Sequence, residues 1–392
     1  MIKFIPYGRQ KIFKNDFKEL KNALNSELIT NGKYVEKFEK AFAKYTNAKY
    51  AVSCSSGTAA IHITLEAIKV KKNDNIIIPS VNFIAAANIS TKLGANIYLA
   101  DVDKSTGQMT PSTLIDCIVR FKLKKIKAFF TMYNSGNPNF VKEFFKIKKK
   151  YNAFFIEDSC HALGAKYSVK KNLKVGDCKY SDFATFSFHP VKTITTGEGG
   201  MVTTSNKIFY NRLNIVKNHG IIRKKSNRKK YNWSYQIFEP GYNYRLSDIN
   251  CALGYSQLRN ISQIISKRKK IADYYNKEFN NYNNIVKTPI VSRDQISAWH
   301  LYVLNINFKK LKINKSNFIN ELYKKRIISQ VHYIPTFYQP AYNHLKKNKF
   351  KGANSYFASC ISLPIYFDLN VKMAKKVVKT VKYLIKLYKI NC

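Results

Sequence analysis

The chain has 392 residues, 45% of them apolar and 14% aromatic; this is ample for a core and excludes a disordered protein. Such a length exceeds what one core usually holds, so two packed domains are expected. The net charge of +45 is carried by lysines spread from end to end among many Asn, Ile and Tyr residues, so it reads as solvated faces rather than a nucleic-acid site, though anionic small molecules would still be attracted.

The N-terminus, MIKFIPYGRQ, has no apolar stretch of signal-peptide length, and no run of about 18 apolar residues occurs, so a cytoplasmic protein without membrane spans is expected. Residues 14–46 place Phe38, Phe42 and Tyr45 at helical spacing. Residues 50–54 form a short apolar run. Ser55-Ser56-Gly57-Thr58 then opens a helix with an apolar stripe at Ile61, Leu65 and Ile68. Strand-like runs follow near residues 76–79, 97–101, 127–131 and 153–157, with enough chain between them for helices, which indicates a parallel sheet covered on both faces. Two more strands are expected near 183–188 and 201–204. After about residue 260 the pattern becomes a helix at 261–279, strands near 285–289 and 301–308, a helix near 315–325 and a last helix from 371 to about 388. The expected class is α/β: a large domain over 1–260 with a mainly parallel central sheet, and a smaller α+β domain over 261–392. The seven cysteines never form a C-x-x-C pair, so reduced thiols are expected rather than a disulfide framework or a zinc site, and no metal site is assigned.

The segment from Ser187 to Gly200, SFHPVKTITTGEGG, places Lys192 in a turn between two strands, among Ser, Thr and Gly backbone. Lys192 is either a solvated turn residue or an amine able to form a Schiff base, which needs an unprotonated nitrogen. The second reading calls for pyridoxal phosphate (PLP) and makes three further demands. A phosphate needs a helix N-terminus, which Gly57, Thr58 and Ala59 supply. A pyridine nitrogen needs a carboxylate, for which Asp158 stands at a strand end, where it could equally cap a helix. The ring needs a flat apolar partner, and Phe83 is either that partner or a core residue.

Seven segments, SSGTAA, PSVNFIAAAN, IEDSCHALGAKY, SDFATFSFHPVKTITTGEGGMVTT, NHG, GYNYRLSDINCALGYSQL and HLYV, run in order over essentially the whole chain. Together they resemble the DegT/DnrJ/StrS family of sugar-nucleotide aminotransferases, which are fold-type-I PLP enzymes. The resemblance implies that Lys192 is the Schiff-base lysine and Asp158 the carboxylate on the ring nitrogen. It implies that His161 lies beside the ring, that Phe83 stacks on it, and that Ser187 with Gly57, Thr58 and Ala59 binds its phosphate. It further implies a homodimer in which Asn243 reaches the neighbouring subunit's cofactor phosphate. The dehydratase branch of the family typically has histidine where this chain has Lys192. The segments QVHYIP (330–335) and ISLP (361–364), with KTITTGEGG (192–200) and the PYGRQ start (6–10), are similar to the pseudaminic acid branch, which aminates C4 of a UDP-linked 4-keto-6-deoxy-N-acetylhexosamine with L-glutamate as donor; the first makes His332 and Tyr333 candidates for substrate binding or for packing between the domains. TMYNSG (131–136) departs from the usual pattern beside the site, and the basic segment Arg223–Lys230 is either a diphosphate contact or a surface loop. Outside this class, charge alone raises a non-catalytic binding or regulatory protein, which would not need Lys192 and Asp158 together.

Overall fold

The computed structural model describes residues 4–223, 233–282, 284–345 and 350–389. The helical spacing over 14–46 resolves into two helices, Lys14–Leu24 (α1) and Lys33–Thr46 (α2), broken where Asn31 takes a left-handed φ of 54° and Gly32 caps the second helix. The buried Asp248 carboxylate accepts hydrogen bonds from the N–H groups of Gly32 and Tyr34 at 2.7 Å each, a negative charge on a helix N-terminus.

The central sheet has seven strands. In chain order they are Tyr50–Cys54 (β1), Asn75–Pro79 (β2), Asn96–Ala100 (β3), Ala128–Met132 (β4), Phe154–Asp158 (β5), Phe183–Ser187 (β6) and Gly200–Thr204 (β7). Across the sheet the order is β1-β7-β6-β5-β4-β2-β3, and β7 alone runs antiparallel to its neighbours. A parallel return needs a crossover, usually through a helix. Residues 188–199 contain no helix, so the chain turns back beside β6. That turn carries Lys192. Adjacent residues in the strands face opposite layers, as their alternation requires. Phe129, Phe155 and Phe186 pack with Phe38 and Phe42 on one face, while Phe130, Ile156 and Phe183 pack with the helix Gly57–Ala67 (α3) on the other.

Beyond this sheet, helices Ile261–Phe279 and Val371–Tyr388 cover a three-stranded antiparallel sheet of Val286–Lys287, Tyr302–Ile306 and Cys360–Leu363. The expected division at residue 260 falls between the helix Asp248–Arg259 and the helix that starts at Ile261. The N-terminal segment joins the later core: Ile5 is buried there and pairs in parallel with Ile327. Among the described residues no helix is long and apolar enough to cross a membrane, and the six cysteines they include are free thiols.

Candidate active site

The carboxyl ends of β4, β5 and β6 and the start of α3 open onto one cavity of about 350 Å³. This is where an open α/β sheet binds ligands, and the volume suits a small molecule. Lys192 lines it. Its turn is closed by the Lys192 N–H donating to the His189 carbonyl at 2.9 Å and by the Thr195 hydroxyl donating to the Phe188 carbonyl at 3.0 Å. Burial pushes the Lys192 ammonium down, while the nearby Cys160 and Asp158 act against that shift. The residue is therefore not a solvated turn lysine.

Asp158 ends β5 and is 3% exposed. Its Oδ1 accepts the Cys160 N–H at 3.1 Å, but no helix begins there, which removes the capping alternative. Burial raises its pKa, opposed by the hydrogen bonding with Cys160 and by the Lys192 charge. The neighbouring Glu157 faces the other side of the sheet, where Tyr167 donates to it and burial lifts its pKa to about 8.

His161 lines the cavity and is 1% exposed. Its Nε2 lies 2.9 Å from the Tyr333 hydroxyl, and its Nδ1 has no partner among the described residues. Burial holds the imidazole neutral, well below its usual pKa. Phe83 is 52% exposed, which removes the core-packing alternative, and its ring centroid is 5.9 Å from that of Tyr333. His332 and Tyr333 both line the cavity, and His332 Nδ1 is 2.8 Å from Ser362 Oγ.

At the opposite wall Ser56 caps α3, its Oγ accepting the Ala59 N–H at 3.0 Å. The N–H groups of Gly57 and Thr58, in the first helical turn, have no intrahelical partner by construction. A side chain at residue 57 would place its Cβ 2.8 Å from Ser187 Cβ, so glycine is required for the helix start to meet the end of β6. A glycine-lined helix start, a serine hydroxyl, a partly desolvated lysine, a buried carboxylate, an exposed aromatic ring and a buried imidazole nitrogen without a partner fit a phosphorylated pyridine aldehyde.

Asn243 is exposed, bridges Asn218 in the backbone, and does not line the cavity of its own chain. Of Arg223–Lys230, only Arg223 lies within the described residues. TMYNSG contributes Met132 to the cavity, and its Asn134 is buried with Nδ2 donating to the Tyr356 hydroxyl at 2.7 Å. Sequence reasoning gave no role to His300 or Tyr7, which also line the cavity. His300 lies in the HLYV segment, its ring centroid 4.2 Å from that of His161, and the buried Arg268 holds its carbonyl at 3.0 Å. Tyr7 lies in the PYGRQ start (6–10), which resembles the pseudaminic branch without giving any one residue a role.

The model of the DegT/DnrJ/EryC1/StrS aminotransferase family matches residues 10–382. The UDP-4-amino-4,6-dideoxy-N-acetyl-beta-L-altrosamine transaminase of Campylobacter jejuni is 34% identical over 379 residues, 96% of each chain. Helicobacter pylori PseC, an aminotransferase of pseudaminic acid biosynthesis, superposes with a TM-score of 0.88 at 28% identity, over 98% of this chain and 100% of that one. The PMP-form of the putative sugar aminotransferase Spr1654 from Streptococcus pneumoniae superposes with a TM-score of 0.90 at 26% identity, over 98% and 99%. With the lysine, the carboxylate and the helix start converging on one cavity, the chain belongs to the DegT/DnrJ/EryC1/StrS family and is a PLP-dependent sugar-nucleotide aminotransferase.

Proposed function

We propose that the protein transfers the amino group of L-glutamate to C4 of UDP-2-acetamido-2,6-dideoxy-β-L-arabino-hexos-4-ulose. The products are 2-oxoglutarate and UDP-4-amino-4,6-dideoxy-N-acetyl-β-L-altrosamine. The observation that carries the chemistry is the meeting of Lys192, Asp158 and the start of α3 at one cavity. PLP, when bound, supplies the carbon that carries nitrogen between the two substrates and a ring that takes up the electron pair. Lys192 attaches it covalently and, once displaced, takes the proton from Cα of glutamate; in the second half-reaction it delivers a proton to C4 of the sugar. The lowered pKa of Lys192 favours the free amine that both tasks need.

Asp158 keeps a proton on the ring nitrogen; burial works against the charged form it needs for this, and hydrogen bonding with Cys160 favours it. Gly57, Thr58, Ala59 and the Ser187 hydroxyl hold the phosphate. Gly57 and Thr58 carry the larger share, because Ser56 already occupies the Ala59 N–H. Phe83 stacks on the ring, and His161 lies beside it. His332 and Tyr333 contact the sugar.

The choice of sugar is supported by the full-length similarity to the Campylobacter jejuni transaminase and by the His332–Tyr333 segment at the cavity. The proposal includes a cytoplasmic homodimer in which Asn243 serves the neighbour's phosphate site. The segment at the antiparallel pairing of Ile221–Ile222 with Gln236–Ile237 supports it, since Tyr235, Ile237 and Phe238 expose apolar surface close to Asn243 in sequence. The test is incubation with glutamate and a panel of UDP- and dTDP-linked keto sugars, with NMR of the product. A new amine at C4 of the β-L-arabino sugar is expected. Amination of only a D-xylo 4-keto or a 3-keto sugar would remove this specificity, and release of no 2-oxoglutarate with any sugar would remove glutamate as the donor.

A further inference from the structure

The N-terminal segment crosses the molecule to reach the cavity. Ile5 donates to the Arg326 carbonyl and accepts from the Ile328 N–H, each at 2.9 Å, and the Tyr7 carbonyl accepts the Ile365 N–H at 3.0 Å. Gly8 then rests against Val191, the neighbour of Lys192: a Cβ built there would lie 3.8 Å from Val191 Cβ. These bonds hold Tyr7 on the cavity wall beside the Lys192 turn, on the side of His332, with the Tyr7 and His332 ring centroids 5.5 Å apart. The wall continues from His332 to Tyr333 at 4.9 Å and from Tyr333 to Phe83 at 5.9 Å. These rings are tilted against one another, by 47° between Tyr7 and His332 and 83° between His332 and Tyr333, and line one side of the cavity. Among the described residues, the hydroxyl of Tyr7 has no hydrogen-bond partner.

We propose that Tyr7 is a specificity-determining residue whose hydroxyl hydrogen-bonds the sugar of the keto substrate and not the amino donor. This rests on the aminotransferase reading of the site and deepens it. Chemistry separates the two substrates. Glutamate presents two carboxylates, which call for cations. Tyr7 and the ring beside it are neutral groups: a phenol that burial keeps protonated, and the His332 imidazole, which burial pushes down to about 4. Neutral donors and acceptors beside aromatic faces match the hydroxyl and acetamido groups of a sugar. A buried polar group that loses its partner also penalises the wrong epimer, which is how such a phenol would discriminate.

The experiment uses the full-length holoenzyme and its Tyr7→Phe variant, which keeps the ring and removes the hydroxyl. Each half-reaction is followed separately through cofactor absorbance, with glutamate and then with the keto sugar that the wild type turns over fastest. Calorimetry measures affinity for the aminated UDP-sugar product and for UDP alone. The expected result is a glutamate half-reaction within about twofold of wild type, and weakening of both the keto sugar and the aminated product by about five- to tenfold, the loss of roughly one hydrogen bond. UDP affinity should not change. Unchanged affinity for the aminated product would overturn the proposal. So would an equal loss in both half-reactions, which would make Tyr7 a support for the fold or the cofactor. An active wild type with an indifferent Tyr7→Phe variant refutes the role of Tyr7 alone, whereas a wild type that aminates no keto sugar refutes the proposed function and this proposal with it.

Discussion

Gly57→Ala tests whether the cofactor site depends on the close approach of α3 to β6. The added Cβ would lie 2.8 Å from Ser187 Cβ and 3.3 Å from Ser187 Oγ. Carbon atoms pack best at about 3.5–4.0 Å, so the helix start or Ser187 must retreat by roughly 0.7–1.2 Å. Overpacking of this kind costs about 1–3 kcal/mol, reduced by up to about 1 kcal/mol because alanine favours a helix more than glycine does. The larger effect falls on the anion. A hydrogen bond to a charged group contributes about 1.5–3 kcal/mol, so displacing one donor weakens phosphate binding by roughly tenfold to a hundredfold. The assay is titration of apo-protein with PLP, read by absorbance, alongside thermal unfolding. Gly8→Ala is the control, because its Cβ would meet Val191 at an ordinary 3.8 Å. Gly57→Ala affinity within twofold of wild type would refute the reasoning, as would an equal loss in Gly8→Ala.

Three further outcomes are expected. Lys192→Ala abolishes transamination while PLP still binds non-covalently; a borohydride-reducible adduct formed at another lysine would displace the assignment. Mixing inactive Lys192→Ala with inactive Asn243→Ala restores activity through hybrid dimers, since one hybrid site then carries both defects and the other neither; no recovery after verified subunit exchange points to a site built within one chain. The folded-state pKa of His332, about 4, lies below the ordinary histidine value of 6.5, so the unfolded chain takes up the proton first. The His332 contribution to stability therefore falls as pH drops from about 6.5 to about 4. His161 and His300 shift the same way, while the raised carboxyls of Glu157 and Asp158 act oppositely, so the reading is the difference between the two proteins: wild-type urea midpoints should fall relative to those of His332→Gln as pH drops across this window. Parallel wild-type and variant curves would remove His332 as a source.

Local patterns in the chain were sufficient for the elements and for the chemistry attached to their ends. The run of strands and helices up to β6, the turn that presents Lys192, and the capped start of α3 were all readable, because each depends on neighbours within a dozen residues and on alternation along a strand or a helix face. Asp158 was readable as a carboxylate at a strand end, but its choice between capping a helix and facing a cavity was not, since that depends on whether the next residues coil. The full-length resemblance assigned roles without supplying distances. Tertiary structure alone decided that Phe83 stands half-exposed at the cavity instead of in the core, and that β7 is reversed in the sheet. It also brought Tyr7, His300, His332 and Tyr333 to Lys192 from segments far apart in the chain, Tyr7 near its start and Tyr333 in the later core. No periodicity encodes that meeting. It follows from the N-terminal segment pairing beside Ile327, and from Arg268 fixing the His300 carbonyl, both long-range contacts that form only when the later core packs against the central sheet.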